Sequence, residues 1–133
     1  MNIALMAHDG KKELMVQFCI AYCGILAGHS VCATSTTGRL VAEATGLSIT
    51  RYMSCRQGGH QQIAARAAYN ELDLVVFFAD PSDEESYADV EAIGRICDKQ
   101  GIPFATNVAT AEVLIRGLKD GYLDWRDIVN PKK

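Results

Sequence analysis

The sequence contains no C-x-x-C pair, and its cysteines number five, an odd count. A disulfide framework and a zinc knuckle are both poor fits to that pattern. Basic residues are not in excess either: thirteen Lys and Arg stand against sixteen Asp and Glu, a net charge of −3. Such a balance offers no general footprint for nucleic acid or for a membrane surface. No apolar run approaches a bilayer span, and Met1-Asn2-Ile3-Ala4 has no charged region leading into a signal core. These absences predict a cytoplasmic, soluble chain with neither nucleic-acid nor membrane partners. GxxxxGK(S/T) and GxGxxG are missing as well, which argues against P-loop nucleotides and the usual dinucleotide cofactors.

What is present is an ordinary globular balance, 49% hydrophobic and 22% charged over 133 residues. That length predicts one domain over 1–133, able to bury a core without metals or disulfides. Cys19, Cys23, Cys32 and Cys97 sit in apolar runs and are expected to be small buried hydrophobes. Only Cys55 lies in a polar, glycine-bearing segment.

The chain alternates between short apolar runs and stretches of helical spacing. NIALMA (2–7), SVCAT (30–34), a segment within LSITRYM (47–53), DLVVFFA (73–79) and IPFAT (102–106) read as strands. The fourth is apolar on both faces and is expected to be central. Helical spacing covers 11–26, 39–44, 60–70, the stretch after 87 to about 100, and 109–118, with Gly28 and Gly46 as stops. DPSDEESY (80–87) reads as a loop, and the tail from Gly121 holds the only tryptophan, Trp125. Five strands alternating with helices predict an α/β fold, a parallel sheet with helices on both faces. Ligands of such folds bind beyond the carboxyl ends of the strands.

The post-strand corners therefore carry the chemistry. TSTTG (34–38) opens a helix with four hydroxyls, from Thr34, Ser35, Thr36 and Thr37. Free amides and hydroxyls at a helix start suit a phosphate, whereas N-capping alone would use one hydroxyl. His8 and Asp9 end the first strand, and Lys12 follows one turn later, placed either to pair with a ligand phosphate or to stand as a solvated charge. His60 starts a helix in SCRQGGHQQ (54–62), where an imidazole can act as a base near neutral pH. Cys55 and His60 also have the residue types of a thiol–imidazole pair, with no orienting third group evident. The run Asp83-Glu84-Glu85 reads as a solvated loop face.

At these corners the sequence resembles methylglyoxal synthase over essentially its whole length. The matching elements are IALMAHDGKKELM (3–15), ATSTTGRLVAEATGL (33–47), GGHQQI (58–63), DLVVFFADP (73–81) and IPFATNVATAE (102–112). The resemblance implies a Rossmann-like three-layer α/β/α sandwich and a homohexamer. It also implies a lyase that converts dihydroxyacetone phosphate to methylglyoxal and inorganic phosphate without a metal or an organic cofactor. By the family pattern, His8, Lys12, Thr34, Thr36, Thr37 and Ser54 match positions that contact substrate or phosphate. Asp9, Asp80 and Asp89 match carboxylates around the site.

Two catalytic corners depart from that pattern. The family motif S-G-P-x-G-G-D-Q-Q carries the catalytic base as its aspartate; here His60 holds that position, with Cys55 for a glycine and Arg56 for a proline. Ser35 likewise replaces the glycine of TGTTG. The family's P-H-x-P-D, whose histidine polarises the substrate carbonyl, becomes Ser86-Tyr87-Ala88-Asp89 and is one residue shorter. His60 then stands as a candidate base and Tyr87 as a candidate neutral donor. The alternative is a catalytically altered or inactive module that keeps the phosphate site on the same fold.

Overall fold

NIALMA becomes β1 (Asn2–Ala7), buried from Ile3 onward. The computed structural model, which describes residues 1–54 and 57–130, gives this strand a parallel neighbour on each side. On one side lie β2 (Ser30–Ala33) and then β3 (Ile49–Arg51); on the other lie β4 (Leu74–Phe78) and then β5 (Phe104–Ala105). The order is β3-β2-β1-β4-β5, all parallel. The chain thus works outward from β1 to β3, then crosses back to β4. A crevice opens at the carboxyl ends of β1 and β4, where the strand order reverses.

Successive strand residues face opposite sides of the sheet, and here both sides are covered. Ile3, Leu5, Val76 and Phe78 pack against Met15 and Phe18 of α1 (Lys12–Ala21), Val41 of α3 (Ser35–Thr45) and Ile115 of α6 (Val108–Lys119). Ala4, Met6, Val75 and Phe77 pack against Ile63 of α4 (Gly59–Ala68) and Val90 and Ile93 of α5 (Glu84–Gln100). Each fully buried Leu, Ile, Val, Met or Phe contributes about 1.5–3 kcal/mol. The result is the three-layer α/β/α sandwich.

Several boundaries differ from the sequence expectation. The single helix over 11–26 is broken at Tyr22 into α1 and a short α2 (Cys23–Leu26). The third helix starts at Ser35, so the hydroxyl-rich corner is its first turn rather than a preceding loop, and Gly46 closes it in the left-handed conformation at φ 75°. The fifth helix starts at Glu84, inside the expected 80–87 loop. Asp83 caps it by accepting from the Ser86 amide at 3.3 Å, and Glu84 and Glu85 in its first turn favour its positive end.

Among the apolar-run cysteines, Cys19, Cys32 and Cys97 are buried and Cys23 is half-buried. Burial pushes the Cys19 and Cys97 thiols up to about 12, which leaves them inert at neutral pH. Cys55 and Arg56, and whatever part they take in the third corner, lie outside the described residues.

The tail after Gly121 forms α7 (Trp125–Val129), which the sequence pattern gives no sign of. Its anchor is Arg126, 2% exposed. The guanidinium donates to Asp73 Oδ1 at 3.2 Å, to Asn70 Oδ1 at 2.7 Å and to the carbonyls of Leu72 and Gly101. Asp73 Oδ2 accepts from the Asn2 amide at 2.8 Å, so the cluster ties α7 to the amino ends of β1 and β4. Removing one partner of a buried pair strands the other charge, at a cost of about 3–5 kcal/mol. Arg126→Met is therefore expected to lose stability on that scale, read as a lower urea midpoint at unchanged slope.

Candidate functional site

Beyond the carboxyl ends of β1, β2 and β4 lies a cavity of about 560 Å³. It is walled by Ala7, His8, Asp9 and Lys12 from the first corner, Thr34 and Thr36 from the second, and Ser54 and His60 from the third. Asp83, Glu85, Ser86 and Asp89 of the fourth corner and α5 complete it. Pairing of Leu5 with Ala33 and of Ala7 with Phe78 brings these corners level, because equal strand ends in a parallel sheet place their loops side by side.

Lys12 opens α1 and folds back over the end of β1, its side chain 14% exposed. Nζ donates to the Ala7 carbonyl at 2.9 Å and to Thr37 Oγ1 at 3.1 Å, and Asp9 Oδ1 stands 3.8 Å away. The ammonium is thus aimed by the fold rather than left as a solvated charge. Thr37 is buried and acts on the ammonium, not on the cavity wall. Thr34 is 1% exposed, and its Oγ1 is buried with no hydrogen-bond partner among the described residues. Ser35 is not in the wall; its amide is taken by the Met53 carbonyl at 3.3 Å. The amides of Thr36 and Thr37 belong to the first turn of α3, where N–H groups have no intrahelical acceptor.

His8 faces the cavity, but both ring nitrogens are engaged by backbone. The Asp80 amide donates to Nδ1 at 2.8 Å, so Nδ1 holds a lone pair and Nε2–H donates to the Ser86 carbonyl at 3.2 Å. The ring locks the first corner to the fourth. Asp80 is not in the cavity wall. Its Oδ1 accepts from the Ser82 hydroxyl and amide, and those two bonds hold the carboxyl below its ordinary value. Asp9 stands at the rim with its side chain 97% exposed.

His60 lies at the start of α4, 6% exposed, its ring 4.9 Å from that of Phe77. Nδ1 meets Asp89 Oδ2 at 3.0 Å. Tyr87 does not join them. It packs against the apolar cluster between the sheet and α4 and α5, and lines a separate groove with Pro81, Glu84 and Glu91. The early start of α5 turns position 87 away and sets Ser86 and Asp89, one turn apart, toward the cavity. Asp83, Glu85 and Ser86 are thus wall residues that the loop assignment of 80–87 hid. The signal that would have found them is an acidic N-cap followed by two first-turn glutamates.

The model of the MGS-like domain family matches residues 15–106, over two thirds of the sequence. This chain belongs to the methylglyoxal synthase family. It is 56% identical to the methylglyoxal synthase of Caldicellulosiruptor saccharolyticus over 99% of its own length and 94% of that protein. It is 54% identical to that of Listeria welshimeri over 96% of each chain. The crystal structure of methylglyoxal synthase from Elizabethkingia anophelis NUHP1 superposes with a TM-score of 0.80 at 38% identity, covering 86% of this chain and 76% of that one.

The approach of α4 to the third corner depends on Gly59. A Cβ there would overlap the Met53 carbonyl oxygen, and the Gly59 amide donates to the Ser54 carbonyl at 2.9 Å. Gly59→Ala is expected to cost about 1–3 kcal/mol by overpacking and to displace His60. Urea unfolding measures the first effect, and a crystal structure of the variant shows the second.

Proposed function

We propose that this chain is a lyase that converts dihydroxyacetone phosphate into methylglyoxal and inorganic phosphate, with no metal ion and no organic cofactor taking part. The observation that carries the proposal is the Thr34 hydroxyl, buried and without a partner among the described residues, in the wall shared with the Lys12 side chain. An unmet buried hydroxyl costs about 1–3 kcal/mol, and a phosphate oxygen removes that cost. The first-turn amides of α3 and the Lys12 ammonium supply the remaining donors and the countercharge. A phosphate held there directs the rest of a three-carbon substrate toward His60, Ser86 and Asp89 across the cavity. His8 keeps the fourth corner at its distance, and Ser54 borders the phosphate end.

The reaction requires loss of a carbon-bound proton next to the carbonyl, then expulsion of phosphate from the carbon on its other side. Neither step changes the overall oxidation level, so the residues in the wall suffice. The alternative of a binding module that no longer turns over gains no observation of its own.

The family resemblance further supports a cytoplasmic homohexamer. Tyr122, Trp125, Ile128 and Val129 leave large apolar surface exposed on the last segment, which a neighbouring subunit would cover. Light scattering at micromolar concentration should return six times the chain mass, and a monomer across a dilution series would remove this assembly.

The activity is tested by incubating the protein with dihydroxyacetone phosphate and measuring methylglyoxal and phosphate, expected in equal amounts. Lys12→Met is expected to lower kcat/KM by roughly 10²–10³, the usual effect of removing one electrostatic donor. A wild-type protein that releases neither product overturns the proposal.

A further inference from the structure

We propose that Asp83 and Glu85 determine substrate specificity: they form a fixed negative wall that admits phosphate esters with an uncharged far end and turns away those with a second anionic group. The proposal deepens the synthase assignment and rests on it for which end of the ligand carries phosphate. Size cannot do this sorting. The cavity holds about 560 Å³, within the range of about 300–1,000 Å³ that accommodates drug-sized ligands. A three-carbon ester is far smaller, so volume alone leaves room for more highly charged phosphates.

Charge supplies what volume does not. The anionic end of a ligand is fixed by Thr34, 1% exposed with its hydroxyl lacking a partner among the described residues, and by the Lys12 ammonium in the same wall. Thr34 follows β2 and Asp83 follows β4, with β1 between them. Strands lie about 4.8 Å apart, so these two corners begin about 10 Å from one another. A short ester anchored at the first corner brings its far end toward the second.

The acidic groups there are held in place. Asp83 Oδ1 accepts from the Ser86 amide at 3.3 Å, the bond that caps α5. Glu85 adjoins Ser86, whose carbonyl accepts from His8 Nε2 at 3.2 Å, so this turn is tied to the end of β1. Among the described residues no Lys, Arg or His forms an ion pair with either carboxylate. The positive end of α5 offsets about half an elementary charge, against two carboxylates. Asp89 meets His60 at 3.0 Å and is left out of this balance. A second anionic group on the ligand therefore meets net repulsion, and rejection of that kind is how a site built for one charge distribution excludes another.

Two esters that differ only at the far end test the filter: glycerol 3-phosphate ends in a hydroxymethyl group, and 3-phosphoglycerate ends in a carboxylate. Calorimetric titration of each into the wild-type protein should show glycerol 3-phosphate binding about tenfold tighter or more. In the double variant D83N/E85Q the ratio should fall to within about threefold, through a gain for 3-phosphoglycerate, because asparagine caps a helix as well as aspartate does. In 1 M sodium chloride, where the screening length is about 3 Å, the wild-type ratio should narrow as well, since both carboxylates are on exposed residues. Should the double variant fail to fold, Glu85→Gln alone is expected to move the ratio in the same direction. A wild-type ratio near one, a ratio that the substitutions leave unchanged, or failure of both esters to bind overturns the filter. Selection between the esters without release of methylglyoxal from dihydroxyacetone phosphate would sustain the filter and sink the synthase assignment; turnover without selection would do the reverse.

Discussion

The position of β1 constrains everything else in this molecule. It is the central strand of the sheet, flanked by β2 and β4, so its two neighbours come from separate halves of the sequence. Its carboxyl end is also where the backbone stops being satisfied by the sheet. The His8 amide donates one last bond to the Phe78 carbonyl at 3.0 Å, and the Ala7 carbonyl accepts from the Lys12 ammonium. The same residue thus finishes the sheet's hydrogen bonding and sets the charge of the cavity. That economy explains why a lysine one turn past a strand is mostly buried here.

Charge in the cavity is distributed unevenly. Lys12 lies at one end, near the start of α3, whereas Asp83, Glu85 and Asp89 lie on the wall formed by α5. A ligand with its negative charge confined to one end matches that field, and a ligand with anionic groups at both ends meets repulsion at the second. His8 holds the two walls apart through backbone contacts at both ring nitrogens, so the separation is fixed by a side chain buried to 6% exposure.

The sheet and its two covering layers were legible because apolar periodicity reports burial directly: NIALMA and DLVVFFA are continuous apolar runs, and both became strands buried on two faces. The corners were legible as neighbours because parallel strands end on one side. Boundaries set by capping were less so. An acidic cap and its following glutamates look like a solvated loop until the helix they start is known, which is why Asp83 and Glu85 read as a solvated face although they line the cavity, and why Tyr87, a candidate donor by sequence, lines a separate groove. The pairing of His60 with Asp89 spans 29 positions and two helices, and no local pattern encodes it. Arg126 was hidden for the same reason: an arginine near a terminus reads as a surface charge until its carboxylate is located 53 residues earlier.

That arginine has a consequence for how the protein comes into being. All five strands are complete by residue 105, yet the guanidinium that meets Asp73 is attached twenty-one residues later, the difference between 126 and 105. A nascent chain can therefore assemble its whole sheet while Asp73 still lacks its guanidinium partner at the amino end of β4. Of the described helices, the one latest in chain order is thus the one whose guanidinium meets the buried Asp73 carboxylate.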